Sequence, residues 1–245
     1  MLQPIVNPAE SVRLDGYAVV PGVVDLATVD GLTRSIESAR SADSALKHDG
    51  DLYGMRDILR AIPEVRRLAG SPELLALVEP VLGPGSFAVR GLLFDKTPAA
   101  NWSVPWHQDL TIAVRERVDA PGFGPWTRKA GIPHVRPPVE VLEGMITLRV
   151  HLDDCGPDQG PLRVLPGSHR DGRLSAEATR DHLETVKAVD CLVDRGGVVM
   201  MRPLLLHASS SAVSPRRRRV VHLEYASAPL PGGVDWFEVV GRHVA

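Results

Sequence analysis

The stretch Val104-Pro105-Trp106-His107-Gln108-Asp109-Leu110 sets an imidazole and a carboxylate two residues apart. On a β-strand, positions i and i+2 share one face, so His107 and Asp109 point the same way. Ferrous iron in non-heme oxygenases is held by two histidines and one carboxylate on one side of the metal, with the remaining positions open. The spacing alone does not decide the matter. With nine histidines in the chain, an aspartate two positions on is expected by chance in about one such chain in two, and His151 with Asp153 forms a second pair. The third ligand must be a distant histidine.

Outward from this motif the pattern is β. Residues 87–94, Phe-Ala-Val-Arg-Gly-Leu-Leu-Phe, read as a strand, and 97–105 as the loop that delivers the motif. Further upstream the period becomes helical: after a short strand at 17–20, residues 26–39 carry Leu26, Val29, Leu32 and Ile36 on one stripe. Pro63 and Pro72 each stand in the first turn of a further helix, and 41–50 read as a polar loop, so residues from about 22 to 83 form a helical preface. Downstream, 115–142 are rich in Arg, Gly and Pro and look too irregular for a core. Long irregular insertions in compact domains are commonly lids or binding loops, so this segment is expected to cover a substrate that Phe123 and Trp126 contact; the plainer reading is a solvated excursion. Strands return at 145–153, 162–165, 198–201, 204–207 and 217–225, with a helix over 175–189. Short strands behind a helical preface predict one domain over 1–245, mainly β with flanking helices, as in a jelly roll or related double-sheet barrel.

Composition narrows the function classes. A chain of 245 residues with 44% hydrophobic content suits one large core, and a net charge of −2 with a pI near 6.5 gives no electrostatic footprint for nucleic acid. Lysine occurs only at 47, 96, 129 and 187, so arginine clusters here reflect composition as much as function. Cys155 and Cys191 form no CxxC and suggest a reducing compartment. The start shows no basic and apolar leader, and no apolar run is long enough to span a membrane. A cytoplasmic protein is expected, with no nucleic-acid or membrane partner and with its oligomeric state open.

His207, at the end of the apolar run Leu204-Leu205-Leu206, is the leading third ligand, and Arg218 follows on the last strand. A guanidinium deep in a barrel needs an anion, and a bidentate carboxylate matches it best. Of the arginines at 216–219 only alternate members can face inward, so one inward arginine with solvated neighbours is expected. Lys96 reads as a surface charge.

Beside Trp-His-Gln-Asp at 106–109, the chain carries Asp-Gly-Tyr-Ala-Val-Val-Pro-Gly at 15–22, Gln-Gly-Pro-Leu-Arg-Val-Leu-Pro-Gly-Ser-His at 159–169, and His-Ala-Ser at 207–209 followed by Arg218. This set resembles the phytanoyl-CoA dioxygenase family of Fe(II)- and 2-oxoglutarate-dependent oxygenases over residues 15–226. The resemblance implies a double-stranded β-helix of cupin-like form, with His107, Asp109 and His207 as catalytic iron ligands. It further implies Arg218 as the anchor for the distal carboxylate of 2-oxoglutarate, with Ser209 and Arg149 as additional contacts. The implied activity is oxidation of a C–H bond of a small molecule, hydroxylation foremost and natural-product tailoring among its settings, with O2 consumed and succinate and CO2 released. Related halogenases carry a small residue where this chain has Asp109. His151 and Asp153 are set aside because Asp153 opens an Asp-Cys-Gly-Pro turn, where a carboxylate more often caps backbone amides, and His169 is expected to be structural. The alternative from another class is a jelly-roll binding protein that keeps a metal without oxygenation, against which Arg218 argues. A zinc hydrolase would want a second carboxylate at general-base spacing, which is not evident.

Overall fold

The computed structural model describes residues 7–39, 45–48 and 51–241. Its largest sheet has seven strands in the order Tyr17–Val20, Val198–Met201, Met145–His151, Arg218–Ala226, Phe87–Lys96, Asp51–Arg56, Ala45–His48, each antiparallel to its neighbours. A second sheet runs Val189–Cys191, Leu162–Val164, His207–Ser209, Val104–His107. A third, smaller one joins Ile112–Ala113, Ile132–Val135 and Trp126–Lys129. The first two form the expected jelly roll.

The alternation of side chains along the large sheet decides where the site lies. Ile146, Leu148, Val150, Val221, Leu223 and Tyr225 share one face and join Val29, Leu32, Ile36, Leu59 and Leu74 of the helices in a single apolar cluster. Tyr225 carries its hydroxyl through this layer and donates to the Ala69 carbonyl at 3.0 Å. Residues between these on the same strands must look the other way. They are Arg149 and His151, then Arg218, Val220, His222 and Glu224, then Arg90, Leu92, Phe94 and Lys96, placed side by side by the strand register. The sheet is thus greasy toward the helices and polar toward the interior of the roll.

The helices begin where the sequence supplies caps. The Asp25 side chain accepts from the Thr28 amide ahead of Leu26–Ser38, and Ser71 does the same for Leu74 ahead of Pro72–Leu82. Pro63 and Pro72 occupy first-turn positions as expected. Leu26 departs from its stripe: it is the first helical residue and 57% exposed, so the buried face starts at Val29.

Four further expectations change. The polar loop over 41–50 contains the strand Ala45–His48, which pairs with Asp51–Arg56 at the sheet edge and interrupts the helical preface; 41–44 and 49–50 lie outside the described residues. The segment 115–142 is irregular only in part, over 115–125 and in the short links beyond. It holds the hairpin Trp126–Lys129/Ile132–Val135 and the helix Val139–Glu143, and buries Ala120, Val135 and Leu142. The leucines before His207 form a buried turn rather than a strand, so His207 opens the strand His207–Ser209 instead of ending one. Lys96 is not at the surface; it is 2% exposed.

Candidate active site

Strand pairing brings the two distant histidines together: His207 stands opposite His107 on the neighbouring antiparallel strand, with ring centroids 4.1 Å apart. Asp109 lies two residues beyond the end of its strand, where its amide donates to the Pro203 carbonyl at 2.9 Å and holds the carboxylate on the same side. Each imidazole places Nδ1 against a carbonyl two residues back, His107 on Pro105 at 2.8 Å and His207 on Leu205 at 2.9 Å. With Nδ1–H donating there, both Nε2 lone pairs are free. They face Asp109, at 3.8 Å from Oδ1 for His107 and 3.7 Å from Oδ2 for His207. One ligand atom from each of the three residues falls within 4.8 Å of the others, and Asp109 Oδ2 is buried without a hydrogen-bond partner.

The electrostatics suit a cation. Burial holds the His207 pKa down to about 4, so its imidazole is neutral and available as a donor at neutral pH. Burial alone would raise the Asp109 pKa, but His207, His222, His107 and Arg90 together outweigh it and keep the carboxyl well below its usual range. A neutral imidazole beside an ionised carboxylate is the state a divalent metal requires.

Gln108, between the two ligands, is the residue that the sequence reading left without a role. Its Nε2 donates to the carbonyls of Leu204 at 2.6 Å and Gly172 at 2.8 Å, and its Oε1 accepts from the Leu174 amide at 2.9 Å. It therefore staples the His107 segment to the turn that delivers His207. Its place inside His-x-Asp was the available signal, since the side chain between two inward residues must point away from them.

The ligand group opens onto a cleft of about 130 Å³ between the two large sheets, lined among others by Phe94, Trp102, Arg149, Ser209, Arg218 and His222. Arg218 is 3% exposed and Arg149 is 7% exposed, and neither is ion-paired to a carboxylate among the described residues. Arg218 donates to the Gly160 carbonyl at 2.7 Å, Arg149 reaches His222 Nδ1 at 3.1 Å, and the Nε of each guanidinium has no partner. Burial, and then the charge of Arg218, lowers the Arg149 pKa to about 10. Gly160 is required where it stands: its φ is +61° and a Cβ there would collide with the Ser210 carbonyl oxygen. Buried guanidiniums without an anion are costly, and both lie at this end of the cleft.

The neighbours of Arg218 are ion-paired rather than simply solvated: Arg217 with Asp95 and Glu37, Arg219 with Asp153 and Glu37. Asp153 also accepts from the Arg219 amide at 2.8 Å, so it is tied to the strand Arg218–Ala226 rather than capping its own turn, and its partner His151 is buried with both ring nitrogens unpartnered. Lys96 stands opposite Arg218 and donates to the Ser210 carbonyl at 2.6 Å, with Ser209 Oγ at 3.5 Å. Burial, followed by the Arg218 charge, brings its pKa to about 7. Phe123 and Trp126 are half-buried against the cluster of Ile112, Val114, Val135 and Trp236, and neither lines the cleft.

The chain is similar to several known proteins. The chain is 23% identical to L-proline trans-4-hydroxylase of Streptomyces griseoviridis, over 91% of this chain and 86% of that protein. It is 25% identical to human peroxisomal phytanoyl-CoA dioxygenase over 67% of this chain and 46% of that one. Among solved structures, EctD from S. alaskensis with bound Fe superposes with a TM-score of 0.72 at 21% identity, covering 91% of this chain and 78% of that chain. AviO1 from Streptomyces viridochromogenes Tue57 gives 0.66 at 24%, covering 91% and 95%. The family model for phytanoyl-CoA dioxygenase matches residues 12–220, and the chain belongs to that family.

Proposed function

We propose that the protein is an Fe(II)- and 2-oxoglutarate-dependent oxygenase that hydroxylates a C–H bond of a small molecule. His107, Asp109 and His207 hold the iron, and Arg218 holds the distal carboxylate of 2-oxoglutarate with help from Ser209 and Arg149. The observation that carries this is the conjunction of a converging His-Asp-His group, including an orphaned Asp109 Oδ2, with two buried guanidiniums that no described carboxylate neutralises. A protein that only stored a metal would have no use for the second half. Bound iron and 2-oxoglutarate supply the oxidising power, releasing succinate and CO2 as O2 is consumed.

The chain's own residues bind, orient and exclude water. The Nδ1–H bonds to Pro105 and Leu205 fix both imidazoles with Nε2 toward the metal. Arg218 fixes the direction in which the cosubstrate lies, and Phe94 and Leu162 make that part of the cleft apolar. Asp109 completes the metal's protein ligands, which favours oxygen insertion over halide transfer. Ligand pockets commonly run to roughly 300–1,000 Å³, so a cleft of about 130 Å³ suits the cosubstrate and leaves the substrate to approach Asp109 from the rim.

The test is a screen of small molecules for stimulated succinate formation with iron and 2-oxoglutarate present. Formation that requires both, and that vanishes in Asp109→Ala, is expected. Succinate formation independent of iron, or undiminished in Asp109→Ala, would contradict the proposal.

A further inference from the structure

We propose that His222 is a positioning residue for cosubstrate binding: a neutral acceptor that holds the Arg149 guanidinium in place without taking its charge, so that Arg149 stays available to an anion. This rests on the oxygenase function proposed above, in which Arg149 helps Arg218 to hold 2-oxoglutarate. It gives a role to a buried histidine outside the metal group.

The strand register assembles the parts. His222 stands opposite Arg149 on one neighbouring strand, and Glu224, two residues on and on the same inward face, stands opposite Arg90 on the other. Arg149 Nη1 lies 3.1 Å from His222 Nδ1. A guanidinium can only donate, so Nδ1 is the accepting nitrogen and the ring hydrogen sits on Nε2. That nitrogen donates to Glu224 Oε1 at 3.3 Å, and the same oxygen takes Arg90 Nη2 at 2.7 Å. Arg90 Nη1 donates onward to the Thr111 carbonyl at 3.2 Å. The imidazole is therefore fixed in one tautomer from the side away from Arg149. It is buried, and burial, opposed by the bond to Glu224, lowers its pKa from the usual value.

Charge explains why an imidazole suits this place. A carboxylate at 222 would orient Arg149 but would also pair with it, and a cation would repel it. A neutral ring does neither. Glu224 is kept one ring away and bound to Arg90, and Asp109, whose charge Arg149 also feels, belongs to the metal group. Phe94 supports the same guanidinium from another side: its ring centroid is 5.2 Å from Arg149 Cζ, and His222 meets that ring edge-on at 5.5 Å. A cation over an aromatic face is attracted but not neutralised. Arg149, His222 and Phe94 all line the cleft, and Arg149 Nε has no partner. The guanidinium is thus held at Nη1 and over its face, with donors left over.

The experiment is a calorimetric titration of 2-oxoglutarate into the full chain, loaded anaerobically with Fe(II), alongside His222→Phe, His222→Asn and His222→Asp. Asparagine sets Oδ1 where Nδ1 stood, and aspartate has the same shape with a charge. Affinity is expected to fall about tenfold or more in His222→Phe and His222→Asp, and to stay within about threefold in His222→Asn. A role in packing alone would treat the two isosteres alike, so their contrast reads the proposal whatever stability the loss of the ring costs. In an Arg149→Met background, His222→Phe is expected to lower affinity no further, because His222 acts through Arg149. Equal affinities in the asparagine and aspartate variants, or an undiminished effect of His222→Phe once Arg149 is gone, would overturn the role. An unaltered protein that binds no 2-oxoglutarate would overturn the oxygenase function and this role with it; binding that is the same in the unaltered protein and all three variants would overturn the role alone.

Discussion

On the proposed function, Arg218 is the side chain whose removal is expected to separate cosubstrate binding from metal binding. Arg218→Ala is expected to weaken 2-oxoglutarate binding by about 2–5 kcal/mol, the range for truncating one partner of a buried charge pair, while iron occupancy persists; calorimetric titration reads both. Unchanged affinity in Arg218→Ala would remove the anchor from the account. Gln108 carries a different load, because its three bonds join the ligand strand to the Leu204 turn and the 172–174 loop. Gln108→Ala leaves buried backbone groups without partners, at about 1–3 kcal/mol. By loosening both histidine segments it is expected to lower iron affinity about 10–100-fold, as loss of a ligand-orienting residue does. Denaturant melts and metal titration check the two halves, and stability lost with iron affinity intact would make Gln108 a purely structural staple. His-x-Asp was legible as a spacing, although Asp109 lies beyond its strand and owes its placement to the distant Pro203 carbonyl. Lys96 was not, because its inward direction depends on the phase of a strand whose register is set by pairing with Arg218.

At the scale of elements, the helices were readable where an apolar stripe or a first-turn proline marked them, as at Val29, Leu32 and Ile36 and at Pro63 and Pro72. The strands of the jelly roll were readable where alternation was strong. The misreadings share a cause: a short segment whose partners lie elsewhere in the chain carries little signal of its own. Ala45–His48 is polar yet gains an edge position by pairing with Asp51–Arg56, and Leu204-Leu205-Leu206 satisfies its apolar character by burial in a turn rather than in a strand. The hairpin Trp126–Lys129/Ile132–Val135 hid behind Gly and Pro in the same way. Since Trp126 packs on the cluster with Val135 and Trp236, Trp126→Ala is expected to destabilise the fold by about 1–2 kcal/mol, part of the value for full aromatic burial. A chemical melt measures it. No loss of stability, together with weakened substrate binding, would restore the ring to a direct role over the substrate.

In the whole molecule, helices cover one face of the large sheet, which frees its other face to be lined with charge. Such a polar interior is stable only if its charges find partners, and the proposed function supplies two, a metal at His107, Asp109 and His207 and an anion at Arg218. Iron present at about 100-fold over its dissociation constant should stabilise the fold by about 2.7 kcal/mol, or roughly 5–10 °C in a domain of this size, and chelation should reverse it. The most direct measurement is metal analysis of the purified protein and three variants after anaerobic Fe(II) loading. One iron per chain is expected in the unaltered protein and in His151→Ala, with occupancy lost in His107→Ala and His207→Ala; full occupancy in those two with loss in His151→Ala would contradict the site.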